Sequence, residues 1–96
     1  MNTKENYQKK VEAELVLVQA KLAEFKARAK VASADARISY DEQMSELEQR
    51  FDDTKTKLKE LGEASDGAWE NLKDGVESAW STLSNSVQHA ADKFKA

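Results

Sequence analysis

From Val11 onward, apolar or small side chains recur at every third or fourth position: Val11, Leu15, Val18, Leu22, Phe25, Ala29, Ala32, Ala36, Tyr40, Met44, Leu47, Phe51, Thr54, Leu58, Leu61, Ser65, Trp69, Leu72, Val76, Trp80, Leu83, Val87, Ala91 and Phe94. The mean step is about 3.6 residues, the repeat of an α-helix, so the positions form one continuous stripe along a helical face. The residues between them are largely charged or polar, which predicts a solvated opposite face. The pattern predicts an all-α chain with a long amphipathic helix over about 3–61, a candidate break at 62–67 and a shorter helix over about 68–95.

The local rhythm changes along the stripe. Residues 11–36 alternate steps of four and three, as in a heptad seam, whereas the C-terminal part repeats Ala-Trp-x2-Leu-x3-Val every eleven residues, at Ala68 to Val76 and Ala79 to Val87, with a partial copy at Ala90 to Phe94. A heptad supercoils to the left, and an eleven-residue repeat relaxes that twist, so the helices are expected to unwind towards the C-terminal end.

Two signals bear on the break. Gly62 and Gly67 each cost about 1 kcal/mol inside a helix, and Ser65 or Asp66 can cap a new one. Against a turn, the stripe keeps its phase through the segment. If the chain folds back there, Phe94 comes near Ala36 and Trp80 near Leu47 to Phe51, giving a coiled-coil hairpin. The second arm then covers only residues 34–61 and leaves Leu15, Val18, Leu22 and Phe25 open, together with Val16, Leu17, Val31 and Ile38, which lie off the stripe. On that arrangement another copy of the chain is needed, in an elongated homo-oligomeric helical bundle. At the start of the chain, Asn2 and Glu5 have capping-box spacing, and Glu24/Arg28 and Glu46/Arg50 are acid-before-base pairs one turn apart.

Composition narrows the function classes. Of 96 residues 34% are charged, proline and cysteine are absent, and the mean hydropathy is -0.78. The lack of cysteine removes disulfides, thiolate metal sites and thiol chemistry, and fits a cytoplasmic location. The polar first ten residues lack the apolar segment of a secretory signal, and no run approaches the length of a membrane span. Residues 1–61 balance their charges, so the net charge of -3 falls entirely on residues 62–96. With no cluster of Lys and Arg to neutralise phosphates, nucleic acid is not an expected partner.

The Ala34-Asp35-Ala36-Arg37 segment followed by Tyr40, and the segment Ala68-Trp69-x2-Leu72-Lys73-x-Gly75-Val76-Glu77-x-Ala79-Trp80-x2-Leu83, resemble a family of short bacterial coiled-coil proteins often labelled stress-response proteins. The resemblance spans nearly the whole chain, and the paired-tryptophan segment is its most specific part. It implies a small, non-enzymatic, cytoplasmic helical protein induced by stress, with no catalytic residues to carry over. Where such sequences are usually charged after the second tryptophan, this chain has Ser81, Ser84, Asn85 and Ser86.

A search for chemistry finds none. His89 is the single histidine and has neither a second ligand at metal-binding spacing nor a nucleophile beside it. The neighbours Asp41/Glu42 and Asp52/Asp53 point in different directions on a helix and belong to no oxygen-ligand loop. Gly62, Gly67 and Gly75 make no phosphate-binding fingerprint. Neither an enzyme nor a cofactor is expected. The residues expected to act are those of the seam: Leu15, Val18, Leu22, Phe25, Met44, Leu47, Phe51, Leu58, Leu61, Trp69, Leu72, Val76, Trp80, Leu83, Val87 and Phe94. Their expected work is helix association, with itself or with other proteins, as a scaffold. The alternative is a peripheral lipid-surface helix with its Trp/Leu/Val face in the membrane, a role weakened by having only Lys73, Lys93 and Lys95 after residue 61.

Overall fold

The computed structural model describes residues 3–94; Asn2 of the expected capping box and Lys95 at the expected end of the last helix lie outside them. Three helices follow one another, α1 (Thr3–Lys30), α2 (Ala34–Glu63) and α3 (Trp69–Lys93), with no strand among the described residues. They form an up-down-up bundle measuring 51 × 19 × 18 Å. One helix over residues 3–61 would alone be about 90 Å long at 1.5 Å per residue, so the chain folds into one-helix lengths instead.

The expected long first helix is therefore corrected: it breaks at residues 31–33. Ser33 takes an extended conformation (φ -61°, ψ 163°), and its hydroxyl oxygen accepts from the Ala36 amide at 3.3 Å, capping α2. Asp35 adds an acid to the first turn, while Arg28 and Lys30 place bases in the last turn of α1, each favourable to the helix dipole. The amides of Val31 and Ala32 close back onto the Arg28 and Ala29 carbonyls. The stripe keeps its phase across this turn because Ala29, Ala32 and Ala36 are small enough to serve a helix seam and a tight turn alike.

The second break falls at 64–68, within a residue or two of the glycine-bounded segment, but its capping differs from expectation. Neither Ser65 nor Asp66 caps α3 with its side chain; Ala68 stands at the N-cap, and the Ser65 carbonyl accepts from the amides of Ala68 and Trp69. No described glycine has a positive φ. Gly62 matters for space: a Cβ there would lie 2.6 Å from the Gln8 side-chain nitrogen. Beside it the Lys4 ammonium donates to the Ala64 carbonyl at 2.9 Å and the Gly62 carbonyl at 3.4 Å, tying the start of α1 to this turn.

The core is a heptad seam in all three helices. Val11, Leu15, Val18, Leu22, Phe25 and Ala29 are buried on α1, and Met44, Leu47, Thr54, Leu58 and Leu61 on α2. On α3 the buried row is Trp69, Val76, Leu83 and Ala90, each seven residues from the next. Half-buried Lys73, Trp80, Val87 and Phe94 form a second row at the same spacing. The eleven-residue repeat is thus present in the sequence but does not set the packing: the buried row of α3 keeps a seven-residue rhythm to its end. Leu72 lies on the opposite side of the Trp69 row from Lys73, at the edge of the seam, and stays 37% exposed. Thr54, fully buried on α2, satisfies its hydroxyl by donating to the Arg50 carbonyl at 2.9 Å.

Helix α2 packs along both neighbours, and α1 and α3 approach each other more sparsely. Aromatic pairs join them at both ends. Tyr7 and Trp69 have ring centroids 6.2 Å apart at one end, and Phe25 and Phe94 meet edge-on at 6.3 Å at the other.

Candidate interaction surface

The bundle consumes most of the expected interaction seam. Leu15, Val18, Leu22, Phe25, Met44, Leu47, Leu58, Leu61, Trp69, Val76 and Leu83 are buried within one chain. Phe51, Trp80, Val87 and Phe94 are half-buried against the same core. The expectation that Leu15, Val18, Leu22 and Phe25 need a second chain to cover them is corrected: with the turn at residues 31–33, all four are buried within one chain. Trp80, expected deep in the seam, sits at its margin, and Trp69 is the more enclosed tryptophan.

What remains outside are the apolar residues that lie off the stripe. Val16 is 63% exposed and Leu17 72% on α1; Val31, in the first turn, is 87% exposed and Ile38 on α2 60%. Val16 belongs to a pattern, with Leu17 beside it at the edge. On the face of α1 turned away from the bundle, Ala13, Val16, Ala20, Ala23 and Ala27 follow one another at steps of three and four, all exposed. This is a second stripe with the same period as the buried one, about half a turn around the helix from it. Sequence reasoning named Val16 and Leu17 as uncovered but missed the alanines that join them. The signal was available: Ala13, Ala20 and Ala27 are spaced by sevens. The four alanines are easily read as helix-formers only, and the larger inner stripe masks them.

Beside this face an open groove of about 770 Å³ runs between α1 and α2. Leu15, Val16, Phe51 and Leu58 contribute its apolar wall, and Glu12, Asp52, Lys55 and Lys59 stand along it. Further along, Lys26 of α1 meets Glu48 of α2 at 2.7 Å. Glu24, bridged to Lys21 and Arg28 at 3.1 and 3.0 Å, has its carboxyl held below the usual range by the Lys21 hydrogen bond and charge and, to a lesser degree, by Arg28. Among the described residues Tyr7 is the other perturbed group. Burial, then the carboxylates of Glu77, Glu14 and Asp74, push its phenol up to about 12.

His89 is exposed on α3, and the carboxylates of Asp41, Glu42, Asp52 and Asp53 face solvent. Among the described residues no three His, Cys, Asp or Glu side chains are placed to hold a metal ion, and no described helix is long and apolar enough to cross a membrane. No family model, no curated protein and no solved structure matches this chain.

Proposed function

We propose that this chain is a non-enzymatic interaction protein of the cytoplasm that works by helix–helix association, scaffolding or protecting other proteins in the stress setting that its sequence resemblance implies. The observation that carries this reading is the outer face of α1. Val16 and Leu17, 63% and 72% exposed, stand on a helix whose own core seam is already filled. An apolar stripe that the fold does not need is a surface for another helix.

The lipid-surface alternative is weaker on the same grounds. The Trp69, Val76 and Leu83 face that would enter a bilayer is buried against α1 and α2, so lipid binding would require the bundle to open and lose its core.

A photo-crosslinking residue in place of Leu17, carried by the full chain in its own host, separates the two. Adducts with polypeptide, of any identity, support association. Adducts with lipid alone, or flotation of the purified chain with vesicles of phosphatidylcholine and phosphatidylglycerol accompanied by loss of near-ultraviolet circular dichroism, would overturn it.

A further inference from the structure

We propose that the occupant of the outer α1 face is a second copy of this chain, packed antiparallel through α1 about a two-fold axis at residue 18. The inference rests on the association reading above and names its partner. It comes from the charges that border the stripe.

Ala13, Ala20 and Ala27 form one row of the stripe, and Lys9, Val16, Ala23 and Lys30 form the other. On the flank towards α2 lie Glu12, Gln19 and Lys26; on the flank towards α3 lie Lys10, Leu17 and Glu24. Each of these residues is exposed.

In an antiparallel pair, like flanks meet, and residues across the seam face one another from opposite ends. With the axis at residue 18, Ala13 faces the second copy's Ala23 and Val16 faces its Ala20. On the α2 flank Glu12 meets Lys26 of the second copy and Gln19 meets Gln19. On the α3 flank Lys10 meets Glu24 and Leu17 meets Leu17. Every charged flank residue of the central turns thus finds an opposite charge, and each pair occurs twice. The one large residue on a flank, Leu17, packs on itself at the axis.

Other arrangements lose this match. Sliding the antiparallel pair by one heptad, so that Ala20 faces Ala23, sets Glu24 against Leu17 and Lys26 against Gln19. A parallel pair places Lys9 on Lys9 and Lys30 on Lys30 inside the seam. The face is therefore self-complementary about one two-fold axis, which is the requirement of an isologous dimer. Its small residues also let the two α1 helices approach closely, within the usual 8–10 Å range of helix packing. Lys26 already pairs with Glu48, and Glu24 with Lys21 and Arg28. The contact extends these networks across the axis.

Sedimentation of the full chain in low salt tests the register by charge exchange. The wild type is expected to be a reversible dimer. Glu12→Lys or Lys26→Glu alone should weaken it roughly tenfold, since each reverses two pairs, and the two together should restore it to within about threefold. Melting of each variant below the association range controls for the lost Lys26–Glu48 pair. The chain has no cysteine, so Leu17→Cys gives a single thiol, which should oxidise to a covalent dimer, whereas Ala27→Cys, facing Lys9, should not. A monomer at all concentrations, or a dimer indifferent to the Glu12 and Lys26 reversals, would overturn the inference. In that event the polypeptide adducts of a residue-17 crosslinker would still report association with some other chain.

Discussion

The Phe94 ring lies on the Tyr40 ring with centroids 3.9 Å apart and 20° between their planes, so the last residue of the α3 seam is stacked on the second turn of α2. The hairpin expected from the sequence put Phe94 near Ala36, one helical turn away from where it packs. The same ring meets Phe25 of α1 edge-on, and the Phe94 carbonyl accepts from the Arg28 guanidinium at 3.3 Å. All three helices converge on this residue. A double-mutant cycle over Tyr40→Leu and Phe94→Leu should give a coupling of about 0.5–1.5 kcal/mol, the worth of an aromatic pair beyond its burial. Additive losses in urea melts would show that the rings do not hold this end together.

The seven-residue row on α3 ranks its core substitutions. Leu83 and Val76 are fully enclosed, whereas Trp80 is half-buried. Leu83→Ala is expected to cost about 2–5 kcal/mol, and Glu46→Ala, at an exposed pair with Arg50 closed at 2.6 Å, no more than about 1 kcal/mol. Trp69→Ala should cost more than Trp80→Ala. Equal losses for the two tryptophans in chemical denaturation would mean that the eleven-residue repeat, and not the heptad, governs α3.

Ser33 gives the first turn its start signal. Ser33→Ala removes the acceptor for the Ala36 amide and should lower stability by about 0.5–2 kcal/mol, with Ser33→Asp retaining most of it. Thermal melts of the three proteins check this order. If Ser33→Ala is neutral, the break is held by the packing of α1 on α2 alone.

The stripe itself was legible because period alone identifies a helical face, and Leu15, Val18, Leu22, Phe25, Met44, Leu47, Leu58, Leu61, Trp69, Val76 and Leu83 lie where it put them, on the inside, whereas Ser65 and Leu72 stay exposed. The partner of each face was not. A periodic pattern names the residues that must be covered without naming what covers them, and the alanines at 29, 32 and 36 hid the turn that brings α1 home. The Ser33 cap with Asp35 behind it, and the bases Arg28 and Lys30 before it, are local signals of that turn, which the unbroken phase masks. The outer stripe of α1 was hidden differently, since alanine scores as a helix-former whether or not it packs.

Tyr7 gives the protein an alkaline transition of its own. Its phenol is pushed up to about 12 by burial and by Glu77, Glu14 and Asp74, while in the unfolded chain it titrates near 10. Below pH 10 both states hold the proton and the contribution is fully present. Between pH 10 and about 12 the unfolded chain releases it first, so stability falls as pH rises. The diagnostic is the difference between wild type and Tyr7→Phe. The variant should lose less stability from pH 9.5 to 11.5 in isothermal urea titrations, and parallel curves would exclude Tyr7 as the source.

Gly75 and Gly62 should respond to alanine in opposite ways. Gly75 lies within α3, and a Cβ built there meets nothing within 4 Å, so the position bears the entropic cost of glycine in a helix without using its lack of a side chain. Gly75→Ala is expected to stabilise by about 0.5–1 kcal/mol. Gly62 lies near the end of α2, where the added methyl would come within 2.6 Å of the Gln8 amide nitrogen. That side chain is flexible and can swing aside, but α1 then loses its close approach to the α2 end beside the Lys4 contacts with Gly62 and Ala64. The helix gain at Gly62 is therefore offset, and Gly62→Ala should be neutral or mildly destabilising. Gln8→Ala should relieve the conflict, so that Gly62→Ala becomes stabilising in the Gln8→Ala background. Melting temperatures of the four proteins decide the matter: if Gly62→Ala stabilises as much as Gly75→Ala with Gln8 in place, the packing of Gln8 over Gly62 does not constrain the fold.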